Sequence, residues 1–332
     1  LRQEKIKLPT YLYQCFGLTI RSDMLLPCIV APVDSLEDVY FHVTGSVAMR
    51  IKPSHLQTLS PSESQWRDDE GDWHVRYTDA LNGAELHFQI ALTNKRVEVS
   101  WTEGVSIEDI PRVILGPICG RLLQWAGRLS MHGNAVQIDD GAILFCTDSG
   151  GGKSTASAAL VEAGFPFVCD DIATLKFDAG SVFLQPGYPH LRLWPDSAAG
   201  LGKNWQHLPT VFLRTVTMGD KCYRDLQPRP DLFCTHALPL RAVYLLQARI
   251  AGKDTTGIEA IPGRQAFPSL LGNIFLKEIL MPENAAHLFP GLSALANLVP
   301  IFTVRAPDGL QHLEEFAAAI VTHHRSLPVH ES

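Results

Sequence analysis

The sequence contains no CxxC pair. Its seven cysteines, Cys15, Cys28, Cys119, Cys146, Cys169, Cys222 and Cys234, are odd in number and scattered. That spacing excludes a zinc ribbon and a thioredoxin-like redox motif. Cys146 lies in AILFC and Cys169 in FPFVC, apolar strand-like runs suited to buried, reduced thiols of a cytoplasmic protein. No run approaches the ~18 apolar residues that a membrane-spanning helix needs. The opening stretch, LRQEKIKLPTYLYQ, carries basic residues but no apolar core and no starting Met. A signal peptide is therefore not expected, and a trimmed start is. A surplus of cation is missing too: 28 Lys and Arg stand against 35 Asp and Glu, a net charge of −7. Such a chain is a poor coat for nucleic acid. It can still hold a phosphate ligand, because backbone N–H groups do that whatever the net charge. Internal repeats and low-complexity tracts are absent as well.

What is present is a globular composition, with 46% apolar and 19% charged residues in 332. At roughly 100–200 residues per domain, that length predicts about two. Residues 1–105 read as a β-rich accessory or substrate-recruiting domain. The runs VYFHVTGSV (39–47), WHVRYTD (73–79), ELHFQIAL (85–92) and RVEVSW (96–101) are short, alternating and rich in Val, Tyr, Phe and Trp. Turn residues such as Asn82-Gly83 separate them. The polar stretch Ser60–Gly71 (SPSESQWRDDEG) predicts an exposed loop.

Residues 106–332 form the second expected domain. EDIPRVILGPICGRLLQWAGRLS (108–130) has apolar residues at near-helical spacing, with Gly116-Pro117 placed to kink it. NAVQI-DDG-AILFCT and IATLKF-DAG-SVFLQ each read as a hairpin around a tight turn. STASAALVEAG predicts a helix closed by Gly164, and FPFVC and PLRAVYLLQARI predict strands. Helices are expected over Phe267–Leu280, Asn284–Leu298 and Leu310–His323, with VPIFTVRA as a strand before the last. Hairpins alongside a single strand–loop–helix–strand unit predict a mixed α/β sheet rather than a regular doubly wound one.

The strongest local signal is TDSGGGKST (147–155), between a strand and a helix. Polyphosphate binding needs such a turn. Glycines aim successive N–H groups into one concavity, the helix start adds positive potential, Lys reaches the β- and γ-phosphates, and Ser joins a Mg²⁺ shell. The candidate ATP-binding residues are Asp148, Ser149, Gly150, Gly151, Gly152, Lys153, Ser154 and Thr155. The strict pattern GxxxxGK[ST] begins with glycine, and Thr147 stands there instead. A left-handed backbone at that position would strain a threonine. One helix later, Asp170-Asp171 ends the FPFVC strand. That puts two carboxylates at the same rim, one for Mg²⁺ and one for a proton from an attacking hydroxyl. His132, in SMHGNAV just before the first hairpin, is placed to reach that rim.

In SMHG, the hairpin, TDSGGGKS and FVCDD, taken in that order, the chain resembles the HPr kinase/phosphorylase family over residues 130–177. The resemblance implies a P-loop core of the phosphoenolpyruvate-carboxykinase type, with ATP and Mg²⁺ as cofactors. It implies that Asp170 acts as base on a substrate serine, that His132 interacts with that carboxylate, and that Lys153 and Ser154 bind phosphate and metal. Asp171 would lie close to the metal. The family carries glycine at the position of Thr147 and usually an acidic residue at that of Thr155. Its second signature, a Glu-Ile-Arg-Gly-like stretch, is replaced by PGYPHLRLWPDSAAGLG (186–202). That stretch is similar to HPr-kinase-like proteins of peptide-modification clusters, including lasso-peptide clusters, which phosphorylate a precursor-peptide serine. The resemblance thus implies a peptide or small-protein partner, and relatives of this type form oligomers. Phosphorylase activity is not expected.

Arg192, Lys221 and Arg224 are further candidates, as cations for the transferred phosphoryl group or an anionic substrate. Tyr188, Trp194 and Trp205 are candidates for lining a peptide or adenine site, or for core. His323-His324 has no useful metal spacing and is expected in solvent. Three readings stay open on the sequence: a peptide serine kinase, a kinase of a small-molecule alcohol, and a nucleotide-binding partner without catalysis.

Overall fold

Strand pairing in the N-terminal part starts from local turn chemistry. Phe16 and Gly17 both have positive φ, 57° and 74°, the pairing that a two-residue hairpin turn requires. They join β1 (Tyr11–Cys15) to β2 (Leu18–Ser22). The computed structural model describes residues 10–32, 35, 38–43, 57–147, 150–202, 207–211, 221–253, 255–280 and 282–328. They fall into two compact units, divided between Val113 and Ile114.

The first unit continues with β3 (Ile29–Val30), β4 (Val39–Val43), β5 (Gln57–Ser60), β6 (Glu63–Arg67), β7 (Trp73–Thr78), β8 (Glu85–Ala91) and β9 (Arg96–Trp101). They make one sheet in the order β3-β1-β2-β4-β9-β8-β7-β6-β5. Only β2–β4 and β4–β9 are parallel; the other pairs are antiparallel. Register sorts the faces. Phe41, Val97, Ile90 and, one step on, Val99, Phe88 and Val75 align on one side and are buried. Each such side chain stabilises by roughly 1.5–3 kcal/mol. Trp66, His74 and His87 lie on the other side, also buried. This corrects the expectation for Ser60–Gly71. Its middle is β6, paired to β7, and Ser64, Gln65 and Trp66 are buried there rather than exposed in a loop. Trp66 is buried against His74 of the paired strand and His87 beyond it, contacts that a hydropathy pattern does not register. The short helix α1 (Ile110–Val113) closes the unit.

The second unit begins with a wide turn of helix over Ile114–Ile118, in which Gly116 leaves helical geometry (φ −99°, ψ −105°) ahead of Pro117. The break at Gly116-Pro117 is the predicted kink. Helix α2 (Cys119–Trp125) follows, then β10 (Ser130–Ile138) and β11 (Gly141–Cys146), the first predicted hairpin, with Asp139 at φ 53° in its turn. After α3 (Lys153–Glu162) come β12 (Phe167–Cys169) and the second hairpin, β13 (Ile172–Asp178) and β14 (Ser181–Leu184). Next are β15 (His190–Leu193), α4 (Pro195–Gly200), β16 (Cys222–Asp225), β17 (Leu238–Gln247) and β18 (Gly257–Ile261). The chain ends with α5 (Gly263–Gly272), α6 (Pro282–Leu298), β19 (Ile301–Arg305) and α7 (Leu313–Ser326). Helix α5 starts ahead of the predicted Phe267 and stops at Gly272. Phe275–Leu280, predicted as its continuation, holds only a 3-10 turn at Lys277–Ile279.

The predicted mixed sheet is present, and five of its strands close on themselves. The path β11-β10-β13-β14-β17 is completed by a parallel pairing of β11 with β17, so these strands form a barrel. β19 and β18 extend from β17, and β12 pairs with β10. Leu270 of α5 and Leu292 and Leu295 of α6 pack against the barrel residues Leu144, Leu175 and Val243. All seven cysteines are buried and unpaired with one another. Among the described residues, no helix is long and apolar enough to cross a membrane.

Candidate functional site

The site grows from an interruption in the sheet. Ser130–His132 of β10 pair with β13, whereas Ala135 and Val136 pair with β12. β12 and β13 thus run along the same strand, and the ladder between them is interrupted at Asp170-Asp171. Ile172 N–H donates back to the Asp170 carbonyl at 2.7 Å, around Asp171 at φ 60°. A three-residue turn with a positive φ at a non-glycine residue is strained, and such strain concentrates at functional sites.

Asp170 is 2% exposed, with both oxygens occupied. Its Oδ1 accepts from Asn134 Nδ2 at 2.6 Å. Its Oδ2 accepts from Arg192 Nε at 2.7 Å and from the Arg192 backbone N–H at 3.2 Å. Arg192 Nη2 donates to Asp171 Oδ2 at 2.8 Å, so one guanidinium holds both carboxylates. β15 puts Arg192 there through its antiparallel pairing with β16. Burial pushes the Asp170 carboxyl above the usual carboxylate range. Arg192 pulls against that shift and the Asp171 charge reinforces it. Burial acts on Asp171 in the same sense, but Arg192, His132 and Lys221 outweigh it and hold that carboxyl well below the usual range. Burial also works against the charge of Arg192, which Tyr188, Asp170 and Asp171 more than offset. The pair thus splits into one group that accepts a proton readily and one that stays ionised.

The glycine turn stands beside the pair. Gly150 and Gly152 carry its left-handed positions, φ 83° and 95°, and Thr147 is not among the left-handed residues. The strain predicted for a threonine at that place does not arise. Gly151 answers a different demand, because a Cβ there would overlap the Thr147 side chain. Lys153 opens α3 and is 6% exposed; its Nζ donates to the Thr147 carbonyl at 2.6 Å. Burial lowers its pKa, against the pull of Asp171. Ser154 Oγ accepts from Asn134 Nδ2 at 3.4 Å, which ties the turn to the Asp pair. A narrow cleft on the other side of the turn is lined by Gly151, Gly152, Thr155, Leu246, Arg249 and Phe316. Asp148 and Ser149 lie outside the described residues, as does Trp205.

Several candidates sit elsewhere than the sequence reading has them. His132 Nε2 faces Asp171 Oδ1 at 3.6 Å, not Asp170, whose oxygens Asn134 and Arg192 already fill. Thr155 donates to Ser197 of α4 at 2.9 Å, because α4 packs over the start of α3. Arg224 pairs with Glu162 at 2.7 Å, at the far end of α3 from the turn. Lys221 Nζ lies 5.3 Å over the ring of Trp194, near enough to the carboxylates to act on them by charge. Tyr188 is buried. His323 is not in solvent: its Nδ1 lies 3.0 Å from the Tyr244 hydroxyl, and its ring meets Phe302 edge-on at 4.5 Å.

The chain matches no protein-family profile, and no curated protein matches it. Among solved structures it is similar to the Hpr(Ser) kinase/phosphatase from Coxiella burnetii. The identity is 14% and the TM-score 0.31, over 59% of this chain and 95% of that one. A likeness of that depth says nothing of individual residues, so the chemistry rests on the side chains themselves.

Two residues of the site escape the sequence reading. Asn134 is a lone polar residue inside an apolar strand run; its one signal is its nearness to His132. Arg249 follows β17, and its guanidinium lies 3.5 Å from where a Cβ on Gly152 would be. Nothing local in the sequence marks it. Among the described residues, no three His, Cys, Asp or Glu side chains gather as a metal cage. The donors near the turn are all oxygen, Ser154 and the two carboxylates. That set fits Mg²⁺, which is usually held by one or two carboxylates together with substrate phosphates.

Proposed function

We propose that this protein is an ATP-dependent kinase that phosphorylates a serine of a peptide or small protein, a lasso-type precursor peptide being one such acceptor. The observation that carries the reading is a single amide. Asn134 donates to both Ser154 and Asp170, which sets the opening turn of α3 beside a buried carboxylate of raised proton affinity.

The turn amides at Gly150–Gly152, the start of α3 and Lys153 hold the triphosphate. Ser154 and Asp171 hold Mg²⁺, which when bound neutralises phosphate charge. The acceptor oxygen forms a bond to the γ-phosphorus as the bond from that phosphorus to the β–γ bridging oxygen breaks. The hydroxyl proton passes to Asp170, and ADP leaves. To receive it, the Asp170 carboxylate exchanges one of its bonds to Arg192 for the hydroxyl, and Arg192 then faces the transferred phosphoryl group. Most of the catalysis is positioning and electrostatics, as phosphoryl transfer requires.

The test combines binding with transfer. Incubation with ATP, Mg²⁺ and candidate peptides should add one phosphate mass to the acceptor. Asp170→Asn should lose transfer while retaining ATP binding, and Lys153→Ala should weaken ATP binding by calorimetry at least tenfold. Full activity of the Asp170 variant removes it as base. Phosphate gain by metabolite alcohols but no peptide reassigns the acceptor, and ATP binding with no transfer to anything offered leaves a non-catalytic nucleotide-binding protein.

A further inference from the structure

Asn134 is fully buried on β10, between the residues that pair with β13 and those that pair with β12. It sits in the run NAVQI, whose Ala135 and Val136 are apolar and equally buried. Packing alone would be served by another apolar side chain. The asparagine instead spends both hydrogens of its amide: one goes to Asp170 Oδ1 at 2.6 Å, the other to Ser154 Oγ at 3.4 Å. Its own Oδ1 is buried and unpartnered among the described residues. Turning the amide over would not relieve this, because it would set a carbonyl oxygen against the Asp170 carboxylate. Leaving a buried acceptor unmatched is costly, and here it accompanies two donated bonds that no apolar residue makes.

The elements joined in this way are far apart in sequence. Ser154 belongs to the turn at the start of α3, and Asp170 to the strained break after β12. A carboxylate held by Arg192 alone would follow that side chain; with Asn134 on its other oxygen, its plane is fixed from both sides. For Ser154, accepting from Asn134 uses one lone pair of the hydroxyl and directs what remains of it toward the turn.

We propose that Asn134 is a positioning residue: one buried amide sets the Ser154 hydroxyl and the Asp170 carboxylate in a common frame, so that phosphate and metal binding and proton acceptance occur in register. The proposal rests on the kinase reading above and adds to it a residue that touches neither nucleotide nor acceptor.

The test uses the full chain with Asn134→Leu, close in volume and without donors, and Asn134→Ser as a second variant. Calorimetry with a non-hydrolysable ATP analogue, with and without Mg²⁺, gives the gain in affinity that Mg²⁺ confers. Asn134→Leu should cut that gain about tenfold, as Ser154→Ala should, and should add nothing further in the Ser154→Ala background. A packing role would give additive effects instead. In transfer assays kcat should fall about 100-fold, with KM for the acceptor peptide changed less than threefold. Should the Leu variant not fold, the Ser variant enters the same cycle. A folded variant that keeps the full Mg²⁺ gain and kcat within twofold of the unaltered protein overturns the proposal. Absence of transfer by the unaltered protein overturns the kinase reading itself.

Discussion

Each unit buries a polar cluster, and the two are built on different kinds of backbone. In the first unit, His74 Nε2 meets Asp68 Oδ2 at 2.9 Å and His74 Nδ1 meets His87 Nε2 at 3.0 Å. Trp66, His74 and His87 stack nearly parallel, with centroids 5.0 and 5.1 Å apart along the series. These residues occupy ordinary register positions on β6, β7 and β8. Burial, with the charges of His74 and Arg76 adding to it, lowers the His87 pKa to about 4, so the His87 ring is neutral near pH 7. In the second unit, Arg192 grips both Asp170 and Asp171 at a place where the strand pairing is interrupted and the backbone is strained. Regular strands bury these imidazoles by stacking and by side-chain hydrogen bonds in series. A break in the strands exposes backbone that can be bent to gather charge, and charge gathered in this way is available for chemistry.

The comparison can be broken most forcefully at Arg192. Arg192→Met leaves two carboxylates without their partner and should destabilise the second unit by about 3–5 kcal/mol. Adding Asp170→Asn should recover much of that loss in denaturant titrations. Equal losses from the single and double variants would show that the charges are not coupled.

Acid should act next, and on the other unit. The His87 pKa is depressed in the fold from its ordinary 6.5 to about 4. The unfolded chain therefore binds more protons between those values, and stability falls as pH drops through that window. The full loss should be about 3 kcal/mol. Hydrogen exchange of the β7 and β8 amides at stepped pH should show it, and His87→Gln should flatten the profile. The smallest effect is expected at Asp68→Asn, which keeps an acceptor for His74 and should cost about 1 kcal/mol. A larger cost would mean that the Asp68–His74 contact is worth more than an ordinary hydrogen bond, and the contrast between the units would narrow.

Much of this was written locally in the chain. The turns Asp139-Asp140-Gly141 and Asp178-Ala179-Gly180 announced their hairpins, and Gly116-Pro117 its kink. Lys153 and the Asp pair were visible because phosphate chemistry demands those residue types in that order. Barrel closure was not visible, since β11 and β17 pair across the long stretch of chain from Cys146 to Leu238 and neither strand states its partner. Arg192 was a candidate for its charge, but its grip on both carboxylates depends on β15, a four-residue strand fixed by its pairing with β16. Trp66 was misplaced because the histidines it stacks on lie on other strands.

Thr147 and Gly151 share one volume: the threonine side chain fills the space that a Cβ at 151 would need. A side chain at either position thus forbids one at the other, and the loop tolerates a single occupant rather than a fixed consensus. Thr147→Gly should free Gly151 to accept alanine, whereas Gly151→Ala alone should disrupt the turn. The departure from the expected glycine pattern is then an exchange of places within the loop, and a search for this chemistry in other chains has to score positions 147 and 151 jointly.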